Sequence, residues 1–150
     1  MYQSSYLFER PHITRYTFIS VGRRRIEKVV DFTDLGMNNI FSLAFGDLRE
    51  DGTVDDRANS NNGDIVKVLA TVISILKDFT QNHPEVCVAF VGSTEERMKM
   101  YTRILKSYFS VFSKNFFISA FVRNGESYDE VPFDPKANLD YVVFLVKKID

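Results

Sequence analysis

Two periodicities alternate along this chain, a two-residue alternation and a helical stripe, and their order predicts its elements. Residues 15–21 alternate, with Tyr16, Phe18 and Ser20 on one face and Thr17, Ile19 and Val21 on the other. Both faces carry apolar or β-prone side chains, as a largely covered strand does. Gly22-Arg23-Arg24 reads as a hairpin connection, although it is not one of the strongest turn dipeptides. Residues 25–32 form the return strand, setting Ile26, Lys28, Val30 and Phe32 against Glu27, Val29 and Asp31. Residues 40–48 predict a third strand, in which Phe41, Leu43 and Phe45 alternate with Ile40, Ser42 and Ala44. Gly46-Asp47 marks a bulge or a close approach near its end. Ahead of these, residues 2–8 read as a short strand or ordered arm, interrupted by Pro11.

The period then changes. In residues 64–82, Ile65, Val66, Leu69, Val72, Ile73 and Leu76 make one stripe at helical spacing, widened by Val68, Ile75 and Phe79. Asn62 is a candidate N-cap, with alternatives one or two residues away, and His83-Pro84 supplies the stop. Many of the stripe residues are β-branched, so packing must carry this helix more than intrinsic propensity does. Residues 86–91 are a short apolar strand. Residues 93–112 predict a second helix, with Ser93 as N-cap and Glu96 as its capping-box partner. Met98, Tyr101, Ile104, Leu105, Tyr108, Phe109 and Phe112 form its apolar face. Strands follow at 116–122 and 141–147, with an Asn124-Gly125 turn and a short edge strand within 127–133, ended by Pro132. The expected fold is α+β, a mainly antiparallel twisted sheet with two amphipathic helices packed on one face. The whole of residues 1–150 is expected to form a single globular domain.

Composition narrows the function classes. The formal net charge is −1, so no global field drives the chain towards nucleic acid or an anionic membrane. Local basic clusters exist at Arg23-Arg24-Arg25 and at Arg97, Lys99, Arg103 and Lys106. Cys87 is the only cysteine, which rules out an intrachain disulfide and suits a reducing, cytoplasmic setting. Its place in an apolar strand makes it a small inert hydrophobe. The start of the chain shows no signal-peptide pattern, and no apolar stretch reaches membrane-spanning length.

One stretch carries candidate chemistry. Gly92 lets a strand turn sharply into a helix whose first amides, with Ser93 and Thr94, are able to receive phosphate or carboxylate. The cap itself uses part of that donor set, and Glu95 and Glu96 repel an anion. Arg97 shares a helix side with Thr94 and Tyr101, so it needs an anion, a carboxylate or a route back to water. It either pairs with an acid of the polar stretch 47–64 or clamps a ligand. The candidate ligand-binding set is therefore Gly92, Ser93, Thr94 and Arg97 with Asp47, Asn62 and Asp64. No P-loop pattern is present. The acids of the polar stretch miss the calcium-loop spacing, and His12 and His83 match no zinc spacing. No catalytic residue, metal site or cofactor is expected.

Asn61-Asn62-Gly63-Asp64 before Val68-Leu69-Ala70-Thr71-Val72, then Phe90-Val91-Gly92-Ser93-Thr94-x-x-Arg97 and Tyr101, resembles a family of small uncharacterised bacterial proteins. The resemblance spans most of the chain, Phe45-Gly46-Asp47 included. It implies a standalone cytoplasmic single-domain protein and transfers no activity. The expected function is a non-enzymatic interaction module or homo-oligomer, whose partner is a second copy or another protein. The first alternative is a small-molecule or nucleotide-phosphate binder, an enzyme in one version, built on the Gly92-Ser93-Thr94 turn and Arg97. The second is weak nucleic-acid binding through Arg23–Arg25, against which the near-neutral charge weighs.

Overall fold

The computed structural model describes residues 5–55, 62–91 and 94–149. Contacts gather into two compact units, one made of the chain up to Thr33 together with Leu43–Asn82, the other of Asp34–Ser42 and His83–Asp150.

The first unit holds β1 (Phe8–His12), β2 (Arg15–Val21), most of β3 (Arg25–Asp34), the later part of β4 (Ile40–Leu48), β5 (Val54–Asp55) and α1 (Ile65–Asn82). Its strand order is β1-β2-β3-β4, with β5 on β4. The β2–β3 hairpin pairs Tyr16 with Val30, Phe18 with Lys28 and Ser20 with Ile26. Partners across an antiparallel pair share a face, so Tyr16, Phe18, Ser20, Lys28, Val30 and Phe32 look one way. That face meets α1. The Tyr16 hydroxyl donates to Asp78 at 2.6 Å, and the Phe32 and Phe79 rings stack at 3.8 Å. α1 buries Val68, Val72, Ile73, Ile75, Leu76 and Phe79. At about 1.5–3 kcal/mol for each large apolar side chain, this contact dominates the unit.

The second unit contains β6 (Cys87–Phe90), α2 (Glu95–Ser107), α3 (Phe109–Phe112), β7 (Phe116–Asn124), β8 (Ser127–Pro132) and β9 (Tyr141–Lys148). Its order is β4-β6-β9-β7-β8. β6 runs parallel to the start of β4, pairing Ile40 with Cys87, while β6–β9, β9–β7 and β7–β8 are antiparallel. Phe116, Ile118, Ala120, Phe144 and Val146 are buried, and Phe133 bridges from the Phe144 ring to Phe109 of α3.

The α+β class and the mainly antiparallel sheet stand, and the sheet is unclosed, but the expectation of two helices on one face is corrected. Among the described residues there are three helices. The single helix predicted over 93–112 breaks at Tyr108, whose φ of −115° and ψ of 21° lie outside the helical region. Its N–H still closes α2 on Ile104, and its carbonyl opens the next turn by accepting from Phe112. The stripe of aromatic residues crosses the break without change of period, which is why the sequence reads as one helix. β1 also begins at Phe8, where the sequence places the end of the arm. It accommodates Pro11 at the edge of the order, with a register shift between Glu9 and His12.

Candidate functional site

Among the described candidate ligand-binding residues, Asn62 and Asp64 share one network, and Thr94 and Arg97 meet in the first turn of α2. Asn62 is 5% exposed, and its side chain is fully committed. Its Nδ2 donates to Ser20 Oγ at 3.0 Å and to the Arg24 carbonyl at 2.7 Å. Its Oδ1 accepts from the Arg24 N–H at 2.8 Å, and its carbonyl accepts from the Arg23 N–H at 2.9 Å. Asn62 thus ties the β2–β3 turn down rather than capping α1 with its side chain. Asp64 continues the network, since its Oδ2 accepts from Ser20 Oγ at 2.6 Å and from the Tyr6 hydroxyl at 2.5 Å. Burial, together with this bond to Asp64, pushes the Tyr6 pKa up. Gly63, at φ +84°, makes the bend between the two polar residues.

Asp47 lies elsewhere on the same unit. It forms an ion pair with Lys28, which is only 8% exposed in its side chain, against 23% for Asp47. The Lys28 ammonium also sits 5.9 Å from the Phe45 ring centre, and Phe45 stacks on Phe18. Lys28 occupies the core face because the hairpin register puts it beside Phe18, and Asp47 is the carboxylate that makes its burial tolerable. Two further acids of the polar stretch, Asp55 and Asp51, are engaged too. Asp55 pairs with Arg49 at 3.4 Å. Asp51 accepts from Thr53, a bond that holds its carboxyl below the ordinary range.

Thr94 and Arg97 belong to the second unit. Gly92 and Ser93 lie outside the described residues, as does Asn61. The N-cap of α2 is Thr94, in an extended conformation, and its Oγ1 accepts from the Arg97 N–H at 3.1 Å. This corrects the expected capping box. With the cap at Thr94, Arg97 takes the position expected for Glu96, so no acid reaches back from N3. Arg97 is half-buried, and its Nε is a buried atom.

An apolar surface, outside the candidate set of polar and charged residues, also stands out. On the face of β1–β3 opposite α1, Leu7 is 96% exposed, Val21 51% and Ile19 39%. Leu7, Ile19 and Glu27 line a groove of about 480 Å³ that also takes in Tyr6, Phe18 and Lys67 from the α1 side. The alternation of residues 15–21 carries the signal, because its second face is as apolar as its first. Such a pattern predicts a strand covered on both sides, whereas at Ile19 and Val21 only the α1 side is covered; farther along the same face Val29, which pairs with Thr17, is fully buried. Among the described residues, Glu9, Glu27 and Arg25 have no ion-pair partner.

No group of three or more histidine, cysteine or acidic side chains among the described residues is placed to hold a metal ion. No helix among them is long and apolar enough to cross a membrane. Cys87 is half-buried, and burial pushes its thiol pKa up, with Glu130 adding to the effect, the reverse of what an activated thiol needs.

The fold and these clusters define an α+β domain whose polar side chains chiefly fasten its own hairpins. The chain belongs to the family of unknown function DUF6934, whose match spans residues 2–149. Neither the curated proteins nor the solved structures yield a match.

Proposed function

We propose that this protein is a cytoplasmic, non-enzymatic interaction module whose partner is another protein chain. One observation carries the reading. Leu7, Ile19 and Val21 stand together, exposed, on the sheet face that α1 leaves open. Apolar side chains scattered singly on a surface are ordinary, but a contiguous strip rimmed by charge is characteristic of an association surface. Among the described residues the Arg25, Glu27 and Glu9 charges around it lack intrachain ion pairs, so they are available to a partner. The alternative of a small anionic ligand at Thr94 and Arg97 has less behind it, because Thr94 Oγ1 already accepts from the Arg97 N–H. For Arg23–Arg25 as a nucleic-acid contact, the net charge of −1 offers no long-range attraction.

The test is photo-crosslinking in living cells, with a photoreactive residue placed at position 7 or 19 of the full chain. A discrete protein adduct is expected at both positions. None is expected from the exposed control positions Glu50 and Lys136. Positions 7 and 19 giving no adduct, or the same diffuse pattern as the controls, would reject association through this face.

A further inference from the structure

We infer that the partner is a second copy of this chain, docked face to face about a two-fold axis that crosses β3 between Arg25 and Glu27. The inference rests on the association reading above and deepens it. It starts from the hairpin register, in which Ile19 pairs with Glu27 and Val21 with Arg25. These four side chains therefore share the open face, in two rows across the hairpin. Arg25 and Glu27 are successive outward positions on β3, roughly 7 Å apart.

A two-fold axis lying perpendicular to β3 and midway between the two positions exchanges them. It sets Arg25 of one copy over Glu27 of the other, and Glu27 over Arg25. The same operation sets Ile19 over Val21 of the second copy. One axis thus satisfies the charges and covers the aliphatic strip, which is the self-complementarity that an isologous dimer requires. Packed sheets lie about 10 Å apart, a gap that facing arginine and glutamate side chains span. Leu7, from the arm ahead of β1, extends the apolar strip beyond β2. The net charge of −1 leaves no long-range repulsion to oppose two copies meeting. Opposite charges at adjacent outward positions, neither with an ion-pair partner among the described residues, and apolar neighbours on β2 coincide at this one place.

Sedimentation of the full chain, in a concentration series reaching about 0.3 mM, tests the arrangement. The wild type is expected to dimerise. Arg25→Glu and Glu27→Arg each place like charges opposite one another twice per dimer, and each is expected to weaken dimerisation by at least about tenfold. The double variant Arg25→Glu/Glu27→Arg restores opposite charges across the axis and is expected to return to within about threefold of wild type. Both positions are exposed, so urea midpoints should be unchanged and loss of dimer will not be confused with loss of fold. A wild type that stays monomeric throughout the series overturns the inference. So does a dimer unmoved by the single reversals, or a double variant no better than either single. Failure here is separable from failure of the broader reading. A monomer that still crosslinks to a different protein at position 19 refutes only the two-fold dimer, whereas no adduct at all refutes both.

Discussion

The carbonyl oxygen of Asn62 lies 1.8 Å from where a Cβ on Gly22 would sit. The constraint is one of space, since the carbonyl is backbone and is held by the Arg23 N–H at 2.9 Å. A side chain at position 22 must push the turn away from Asn62 and break that bond together with those from Asn62 to Arg24. Gly22→Ala is therefore expected to destabilise the fold by about 2–4 kcal/mol. Chemical denaturation checks this, and a loss under about 0.5 kcal/mol would show that the turn moves freely.

The Asn62 side chain should matter comparably. Asn62→Ala leaves the Arg24 N–H and carbonyl without these partners and removes a donor to the fully buried Ser20 Oγ. We expect a loss of about 2–3 kcal/mol. Asn62→Asp is the sharper experiment, because it replaces a donor to Ser20 and Arg24 with a second acceptor. A carboxyl in that place is disfavoured in its charged form, so its folded pKa is raised above the unfolded value. The penalty is then fully present above the folded pKa. It should shrink as pH falls from 7 towards the ordinary carboxylate value of about 4, and level off below that. A deficit that stays constant from about pH 7 down to about pH 4 would argue that the introduced carboxylate has swung into solvent.

How much of this is readable in advance depends on the distance over which each feature is decided. The β2–β3 hairpin, the α1 stripe and the Asn124-Gly125 turn are local, and each is legible from periodicity or turn chemistry. The polar segment containing Asn62 and Asp64 looks like a helix approach because neighbouring asparagine and aspartate are common caps. Its real partners, Ser20 and Arg24, are about forty residues away and leave no local trace. Alternation puts Lys28 on the Tyr16–Phe18 side of the hairpin, but its compensation by Asp47 is a pairing across strands that no local pattern encodes. The cap of α2 falls one residue later than the sequence suggests, because Ser93 and Thr94 are both good capping residues. The open face of β2 is the larger gap, since alternation tells which side chains share a face and not whether anything covers it.

Tyr16 gives a pH dependence with a definite sign. It is fully buried, and burial together with its bond to Asp78 raises its pKa well above the ordinary 10.0. The folded state keeps the phenol proton where the unfolded chain would release it. The resulting stabilisation is fully present below about pH 10 and is lost as pH rises from there through the folded value. Tyr16→Phe should lower stability at pH 7 by about 1 kcal/mol through the lost charge-assisted bond, and should also make the alkaline decline shallower. Tyr6 and Tyr141 are shifted in the same direction, so a residual decline is expected. Urea unfolding between about pH 8 and 11 measures it, a range set by the tyrosine pKa of roughly 10. Parallel curves for the two proteins would contradict the assignment.

The pair Lys28–Asp47 separates charge compensation from net stabilisation. Lys28→Met removes the cation and leaves the Asp47 carboxylate beside Phe45 in a mostly covered place. Asp47→Leu does the reverse and removes the ion pair of the Lys28 ammonium beside the Phe45 ring, with the lysine the more deeply buried of the two. Breaking a buried pair from one side costs up to about 3–5 kcal/mol, and the partial exposure of Asp47 reduces this to about 2–3 kcal/mol. The asymmetry in burial predicts that Asp47→Leu is the worse single change. Replacing both residues removes the charges and their desolvation together, so Lys28→Met/Asp47→Leu should recover at least half of the larger loss. If the two single losses simply add in the double variant, the ion pair contributes nothing as a pair and each residue acts through separate contacts. Recovery would instead identify Asp47 as the residue that permits a lysine in the core face, a structural role fixed by the register of the hairpin.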